Sequence, residues 1–446
     1  METKIEDFKE VTKKFLEEYS KNKMPIEVNF RELVNNIKFQ DRATHSIHTY
    51  PAKLLPNIPY FFLNNSFFIK ENEYILDPFS GSGTVLLEAV LSNKNAFGSD
   101  SNPLARLISE VKTTEYDIDL LRKLSASLKK EIYINSEVYI SFPEVVNIDY
   151  WFLPSVKNQL AQILEKIKSI SSKKYKDFFL LCFSNCIKKV SLADPRISVP
   201  VKIKVSKESH SHSFVKETNT RLKGLETLDV IEKFFEIVND NISRFECKAQ
   251  LCQNLANAKI VSNDARKLKI NDETVDLIIS SPPYAGAQKY IRACSLNLGW
   301  TELSSIEKLR ELDKENIGRE NYSKVEYKNL KITGIEEADN LLKEIFEINP
   351  IRAHIAGNYL IEMQQAIKEA VRVLKKDKYL ILIAANNSVC NKEFKTQEYL
   401  RQIAEKEGME TKCVLIDDIK SYGLMTKRNK TASIITCEWV LILKKL

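Results

Sequence analysis

The sequence predicts an α/β fold built on a mostly parallel sheet, with a largely helical insertion in its middle. Three observations carry this reading. A short apolar strand runs through a glycine turn into an apolar helix at residues 74–91, and a second series of alternating strands and helices occupies the chain from about residue 259 onward. About 160 residues separate Asp100 from that second series, far more than a strand-to-strand crossover needs.

Residues 1 to about 40 carry an amphipathic helical pattern, which HSIHTYPAKLLPNIPYFFL (His45 to Leu63) breaks with three prolines, so this segment reads as a shaped loop entering a helix. Then EYILDPFSGSGTVLLEAVLSNKNAFGSDSNPLARLISEV gives a strand, the glycine turn, a helix, a second strand ending at Asp100 and another helix. Residues 150–190 and 218–246 have helical periodicity, whereas Ile187 to Lys216 between them does not. The later alternation consists of KIVSNDA, VDLIISSPPY, a helix around Tyr359 to Leu374, KYLILIAANN and the closing strand SIITCEWVLILKK. A smaller insertion, about Thr301 to Asn349, follows VDLIIS, the fourth strand of the chain. The chain therefore divides into residues 1–114, with the N-terminal helix, a cofactor loop and the first half of the α/β domain; residues 115–255, the helical insertion; and residues 256–446, the second half with its insertion at 301–349.

A length of 446 residues with 43% hydrophobic content supports one large core or two moderate ones. The charged N-terminus lacks the apolar run of a signal peptide, and no stretch of about 18 apolar residues exists for a membrane span, so a cytoplasmic location and no membrane partner are expected. Eight cysteines without a Cys-x-x-Cys pair indicate neither a disulfide framework nor a zinc ribbon. The net charge of +7 is compatible with a polyanionic partner and settles nothing alone. Located, it says more: Ile187 to Lys216 holds Lys188, Lys189, Arg196, Lys202, Lys204, Lys207 and Lys216 against only Asp194 and Glu208, which suits either a nucleic-acid contact or a solvated loop.

The glycine turn Asp77-Pro78-Phe79-Ser80-Gly81-Ser82-Gly83-Thr84 lets a ligand lie against backbone amides at a helix N-terminus. A Walker loop needs Gly-Lys, which the chain does not contain, and a dinucleotide fingerprint needs a third glycine where Leu86 stands. Asp77 at the strand end argues for a cation. S-adenosylmethionine fits, because its ammonium and sulfonium groups favour Asp77 nearby and its ribose hydroxyls need an acidic acceptor at the end of the second strand. Asp100, 23 positions on and followed by Asn102, stands there, and Asp264 with Ala265 after the third strand is a candidate for the adenine amino group.

Strand VDLIIS leads into Ser281-Pro282-Pro283-Tyr284 at the same sheet edge. The exocyclic amine of a base is a poor nucleophile, since its lone pair is delocalised into the ring. Catalysis must draw its two hydrogens out of conjugation, and two acceptors are required. The Ser281 hydroxyl and the Pro282 carbonyl supply them, Pro283 fixes the backbone, and Tyr284 would stack on a base flipped out of a duplex. Cytosine C5 chemistry needs a cysteine nucleophile, usually after proline, and the chain has no Pro-Cys pair.

With these motifs the sequence resembles the amino-methyltransferases of DNA, which act on N4 of cytosine or N6 of adenine. The resemblance rests on Asp77-Pro78-Phe79-x-Gly81-x-Gly83, on Asp100, on Ser281-Pro282-Pro283-Tyr284, and on His48-x-Tyr50-Pro51-Ala52-Lys53, and covers about half the chain. It implies a Rossmann-like methyltransferase fold, a loop at Tyr50, Pro51 and Lys53 packed over the methionine end of the cofactor, and double-stranded DNA as partner, with a separate restriction endonuclease as a further partner. Serine at the first tetrapeptide position goes with cytosine N4 in that family and points to a site-specific cytosine-N4 enzyme of a restriction-modification or defence system. Residues 115–255 are the candidate target-recognition region. Lys188, Lys189, Arg196, Lys202 and Lys204 there, and Arg428 and Lys430 before the last strand, are the candidate DNA contacts. The alternatives are adenine N6, an RNA or tRNA base, and a non-catalytic nucleic-acid-binding subunit. His45 and His48 read as structural members of the cofactor loop, and His210-Ser211-His212 lacks partnered ligands, so no metal is expected.

Overall fold

A computed structural model describes residues 7–418 and 436–446, except 36, 40, 41, 52, 135–140, 204–211, 253–255, 287 and 288, and without the side chains of 212 and 213. The strands are β1 (Ile26–Glu27), β2 (Tyr74–Asp77), β3 (Asn95–Ser99), β4 (Ala258–Ser262), β5 (Val275–Ser280), β6 (Leu374–Ala384), β7 (Asn387–Val389), β8 (Lys392–Phe394), β9 (Met409–Asp418) and β10 (Cys437–Lys445). Eight form one sheet in the order β1-β9-β10-β6-β5-β2-β3-β4, while β7 and β8 make a separate hairpin. The large sheet is parallel except for β10, which runs antiparallel to both its neighbours, β6 and β9. All six residues of β5 are buried, as a central strand covered on both faces requires.

From β2 the chain steps outward to β3 and β4, then returns to lay β5 and β6 on the other side of β2. The order therefore reverses between β2 and β5, and the carboxyl ends of these strands, at Asp77 and Ser280, open onto one crevice where such sheets hold their ligands. This is a Rossmann-like arrangement with one antiparallel strand.

Two apolar cores result. One follows the sheet; the other is built by the helices Ile118–Ile134, Pro154–Lys168, Lys173–Ile187 and Val230–Leu251, between β3 and β4, packed on Pro103–Thr113 and Ser295–Trp300. Phe178, Phe179, Phe183, Phe234 and Trp300 are fully enclosed in the second core. These helices also clamp the loop at residues 45–53. Asn185 and Asn241 both donate to the Ile47 carbonyl (3.3 and 3.2 Å), and His48 Nε2 meets Ser184 Oγ at 3.0 Å.

The N-terminal segment departs from the single long helix its pattern suggested. Helix Lys9–Asn22 stops at Lys23, which takes a left-handed φ of 56°, and β1 and the short helix Phe30–Leu33 follow. Strand β9 was also not foreseen, because METKCVLIDD mixes charges at both ends with a short apolar centre and becomes strand by pairing with β10.

Candidate active site

The glycine turn is held from three directions. Phe79 N donates to Asp77 Oδ1 (3.1 Å), Ser80 N to Ser99 O (2.9 Å) and Ser109 Oγ to Gly81 O (2.9 Å). Gly83 sits at φ +73°, and a Cβ there would lie 2.8 Å from Ser109 Oγ and 3.0 Å from Ser109 Cα, so only glycine fits. Asp100 is fixed by Gly81 N on one carboxylate oxygen (2.9 Å) and Asn102 N on the other (2.8 Å), which leaves each oxygen a second lone pair. Asn102 caps helix Pro103–Thr113 by accepting from Leu104 N (3.0 Å) and donates Nδ2 to the Tyr50 hydroxyl (3.1 Å).

Of these residues Tyr50, Phe79, Gly81 and Asp100 wall a cleft of about 640 Å³, together with Pro78, Asp264, Ala265, Ser281 and Pro283, while Asn102 lines neither this cleft nor the space beside it. A second cavity of about 670 Å³ adjoins it, lined by Lys53, Asp77, Thr84, Pro282, Tyr284 and Glu438. Phe79, Gly81, Ser281 and Tyr290 belong to both walls, so Ser281 stands where the two spaces meet. Gly83 lies beneath the turn, and Pro51 in the clamped loop is half-buried and lines neither space. Asp264 is gripped by Arg266 through Nε and Nη2 (2.9 and 3.1 Å), and Arg266 also pairs with Glu362 (3.1 Å).

The donor set suits S-adenosylmethionine. Asp77 is buried and accepts Ser280 Oγ at 2.6 Å, and burial pushes its carboxyl up to about 7, although the hydrogen bonds from Ser280 and Phe79 oppose the rise. A cation in the cleft restores the ionised form. Ionised Asp77 favours the ammonium, so cofactor affinity is expected to fall as pH drops below about 7, by up to about tenfold per unit. Calorimetric titration between pH 6 and 8.5 measures this, and the dependence should vanish in Asp77→Asn.

Several residues of the site were not singled out in the sequence: Ser101, Tyr290, Glu315, Asn316 and Ile317 on the first wall, and Glu438 on the second. Ser101 Oγ donates to Asn316 Oδ1 at 2.7 Å, which ties the turn after β3 to the insertion beyond the tetrapeptide. The Tyr284 hydroxyl donates to Glu438 Oε1 at 3.4 Å. One signal did exist for Glu438, a lone acid inside the otherwise apolar run CEWVLIL. His45 and His48 line neither cavity: His45 Nε2 meets buried Glu88 at 2.5 Å, and burial lowers His48 to about 3.

Three cations of the basic segment have partners within the protein among the described residues. Lys188 Nζ donates to the Ile197 and Ser198 carbonyls (2.6 and 3.0 Å), Arg196 grips Asp194 through two nitrogens (2.8 and 2.7 Å), and Lys202 lies 4.4 Å over the Tyr150 ring. Lys189 is exposed. Lys204, Arg428 and Lys430 lie outside the described residues.

The cleft where the strand order reverses, walled by the glycine turn and Asp100, is that of an S-adenosylmethionine-dependent methyltransferase, as the likenesses that follow bear out. Residues 45–132 match the family described as UPF0020: RMKL-like, methyltransferase domain. The chain is 25% identical over 433 residues to Type II methyltransferase M.MvaI of Kocuria varians, covering 90% of this chain and 91% of that protein. It is 26% identical over 328 residues to Type II methyltransferase M.BsoBI of Geobacillus stearothermophilus, covering 66% and 60% of the two chains. Over 87 residues it is 38% identical to Type II methyltransferase M.MjaII of Methanocaldococcus jannaschii, covering 20% and 16%. No described helix is long and apolar enough to cross a membrane, and among the described residues no group of three or more His, Cys, Asp or Glu side chains is placed to hold a metal ion.

Proposed function

We propose that this protein methylates the exocyclic N4 amine of cytosine in double-stranded DNA, on a base flipped into the second cavity, as the modification half of a restriction-modification system in the cytoplasm. The observation that carries this reading is the position of Ser281-Pro282-Pro283-Tyr284, at the junction between the cofactor cleft and a space of about 670 Å³. S-adenosylmethionine, when bound, supplies an electrophilic methyl group. The Ser281 hydroxyl and the Pro282 carbonyl accept the two amine hydrogens, which brings the nitrogen lone pair out of the ring, and Tyr284 stacks on the base. The near full-length likeness to a Type II methyltransferase supports DNA as the substrate, and a separate restriction endonuclease is the partner such a role implies.

Residues 115–255 would then read the target together with part of the 301–349 insertion. A groove of about 1370 Å³ runs between Asn147, Trp151 and Pro200 on one side and Arg292, Arg310, Lys314 and Asn321 on the other. Among the described residues, Arg292, Arg310 and Lys314 form no ion pair, and Asp313 beside them takes a hydrogen bond from Asn321 (2.8 Å). Cations not spent on the protein are the ones a phosphate backbone can use. In this reading the groove is the main DNA path, and Lys188, Arg196 and Lys202 flank it in the sequence of the same insertion.

Expression in a bacterial host lacking DNA methylation, followed by sequencing of genomic DNA for modified bases, tests the reading. N4-methylcytosine in one short motif is the expected result. N6-methyladenine would overturn the cytosine assignment, and unmodified DNA beside modified RNA would overturn DNA as substrate.

A further inference from the structure

Methylating an exocyclic amine leaves a proton to be removed. The nitrogen lone pair forms the N–C bond while the S–C pair stays on sulfur, which becomes a neutral thioether. The nitrogen is left with a positive charge, and one of its hydrogens must depart as H⁺, its bonding pair returning to nitrogen. Neither the Ser281 hydroxyl nor the Pro282 carbonyl can keep that proton, since both are strong acids once protonated.

The cavity wall around Ser281, Pro282 and Tyr284 offers two carboxyl groups among its described residues, Asp77 and Glu438. Lys53, the other charged group there, is a cation that donates to the His45 and His48 carbonyls (3.3 and 2.7 Å). Asp77 ends β2 and already accepts two hydrogen bonds, from Phe79 N and from Ser280 Oγ at 2.6 Å. Glu438 enters from the opposite side, on β10, paired in register with Asp417 of β9. It forms no ion pair among the described residues, and the hydrogen bond from Tyr284 reaches it at 3.4 Å. A half-buried acid held so loosely contributes little to the fold, since burial without a close partner is a cost.

We infer that Glu438 is a catalytic residue that takes the proton lost by the exocyclic amine, an inference that rests on the amine-methylation reading above. Around it, burial and the Asp417 carboxylate push the acid up to about 6, while Tyr284 and Arg31 pull it down; Asp77 and Lys53 face it across the cavity. Glu438 is thus ionised at neutral pH and a better base than an ordinary carboxylate.

The test is a pH profile of single-turnover methyl transfer to DNA at saturating cofactor. Glu438 must be ionised to accept, so the wild-type rate should rise through about pH 6 and then level off. Glu438→Gln should abolish that acid limb and lower the plateau about 10²-fold, with cofactor binding by calorimetry unchanged. Tyr284→Phe keeps the ring but removes the hydroxyl that lowers Glu438, so its limb should move to higher pH, and this arm decides the matter even if Glu438→Gln fails to fold. A limb that survives in Glu438→Gln, or one that stays in place in Tyr284→Phe, overturns the inference alone. A wild-type protein that methylates no base amine overturns it together with the reading beneath it.

Discussion

Replacing Ser281 with alanine is expected to lower methyl transfer by about 10²–10³-fold, with cofactor affinity and thermal stability unchanged. The hydroxyl is one of two acceptors that hold the amine hydrogens, and the Pro282 carbonyl is left to act alone. Ser281 lies beyond the last residue of β5, on the wall common to both cavities, so its loss removes no strand pairing. Radiolabelled methyl incorporation under single-turnover conditions measures the rate, and calorimetry the affinity. A matching fall in cofactor affinity would assign Ser281 to the cofactor instead of the base.

The second large effect concerns the groove. The double variant Arg310→Ala/Lys314→Ala should bind duplex DNA about 10–100-fold more weakly near 0.15 M salt, and the slope of log affinity against log salt should become shallower by about 1.8, at ~0.9 per lost phosphate contact. The loss should be similar for cognate and unrelated duplexes, because phosphate contacts position the protein without reading sequence. Lys188→Ala serves as the comparison: its ammonium is bound to the Ile197 and Ser198 carbonyls, so it should loosen the loop and leave the slope in place. An unchanged slope in the double variant would remove the groove from the DNA path.

What the sequence disclosed and what it withheld divide along a physical line. Glycines with special backbone needs, a carboxylate at each strand end and a double proline after an apolar run are local signals, and Asp77, Asp100 and Ser281 come together because a parallel sheet aligns its carboxyl ends. Tyr290 and Asn316 are brought to the site from distant segments that no local rule marks beforehand, and Glu438 was marked only as a lone acid in an apolar strand. The basic run beginning at Ile187 has partners that the sequence did not show. Its composition suggested a surface for phosphates, yet Arg196 and Lys202 are held by Asp194 and Tyr150, partners that composition alone does not reveal. Strand β9 was missed because its identity depends on its neighbour, and β10 defines it.

The hydrogen bond from Ser280 to Asp77 joins residues 203 positions apart, across the junction of β5 with β2. On a ribosome adding about 5–20 residues per second, that interval lasts about 10–40 s. During this time β2 has β3 on one side, while its other edge, later covered by β5, has no partner. A bare apolar strand edge is a template for any passing chain, including a second nascent copy. The window of greatest danger for this protein therefore lies in its synthesis. Slowing translation across the helical region lengthens that exposure, and a chain truncated before Val275 is left with the edge permanently open.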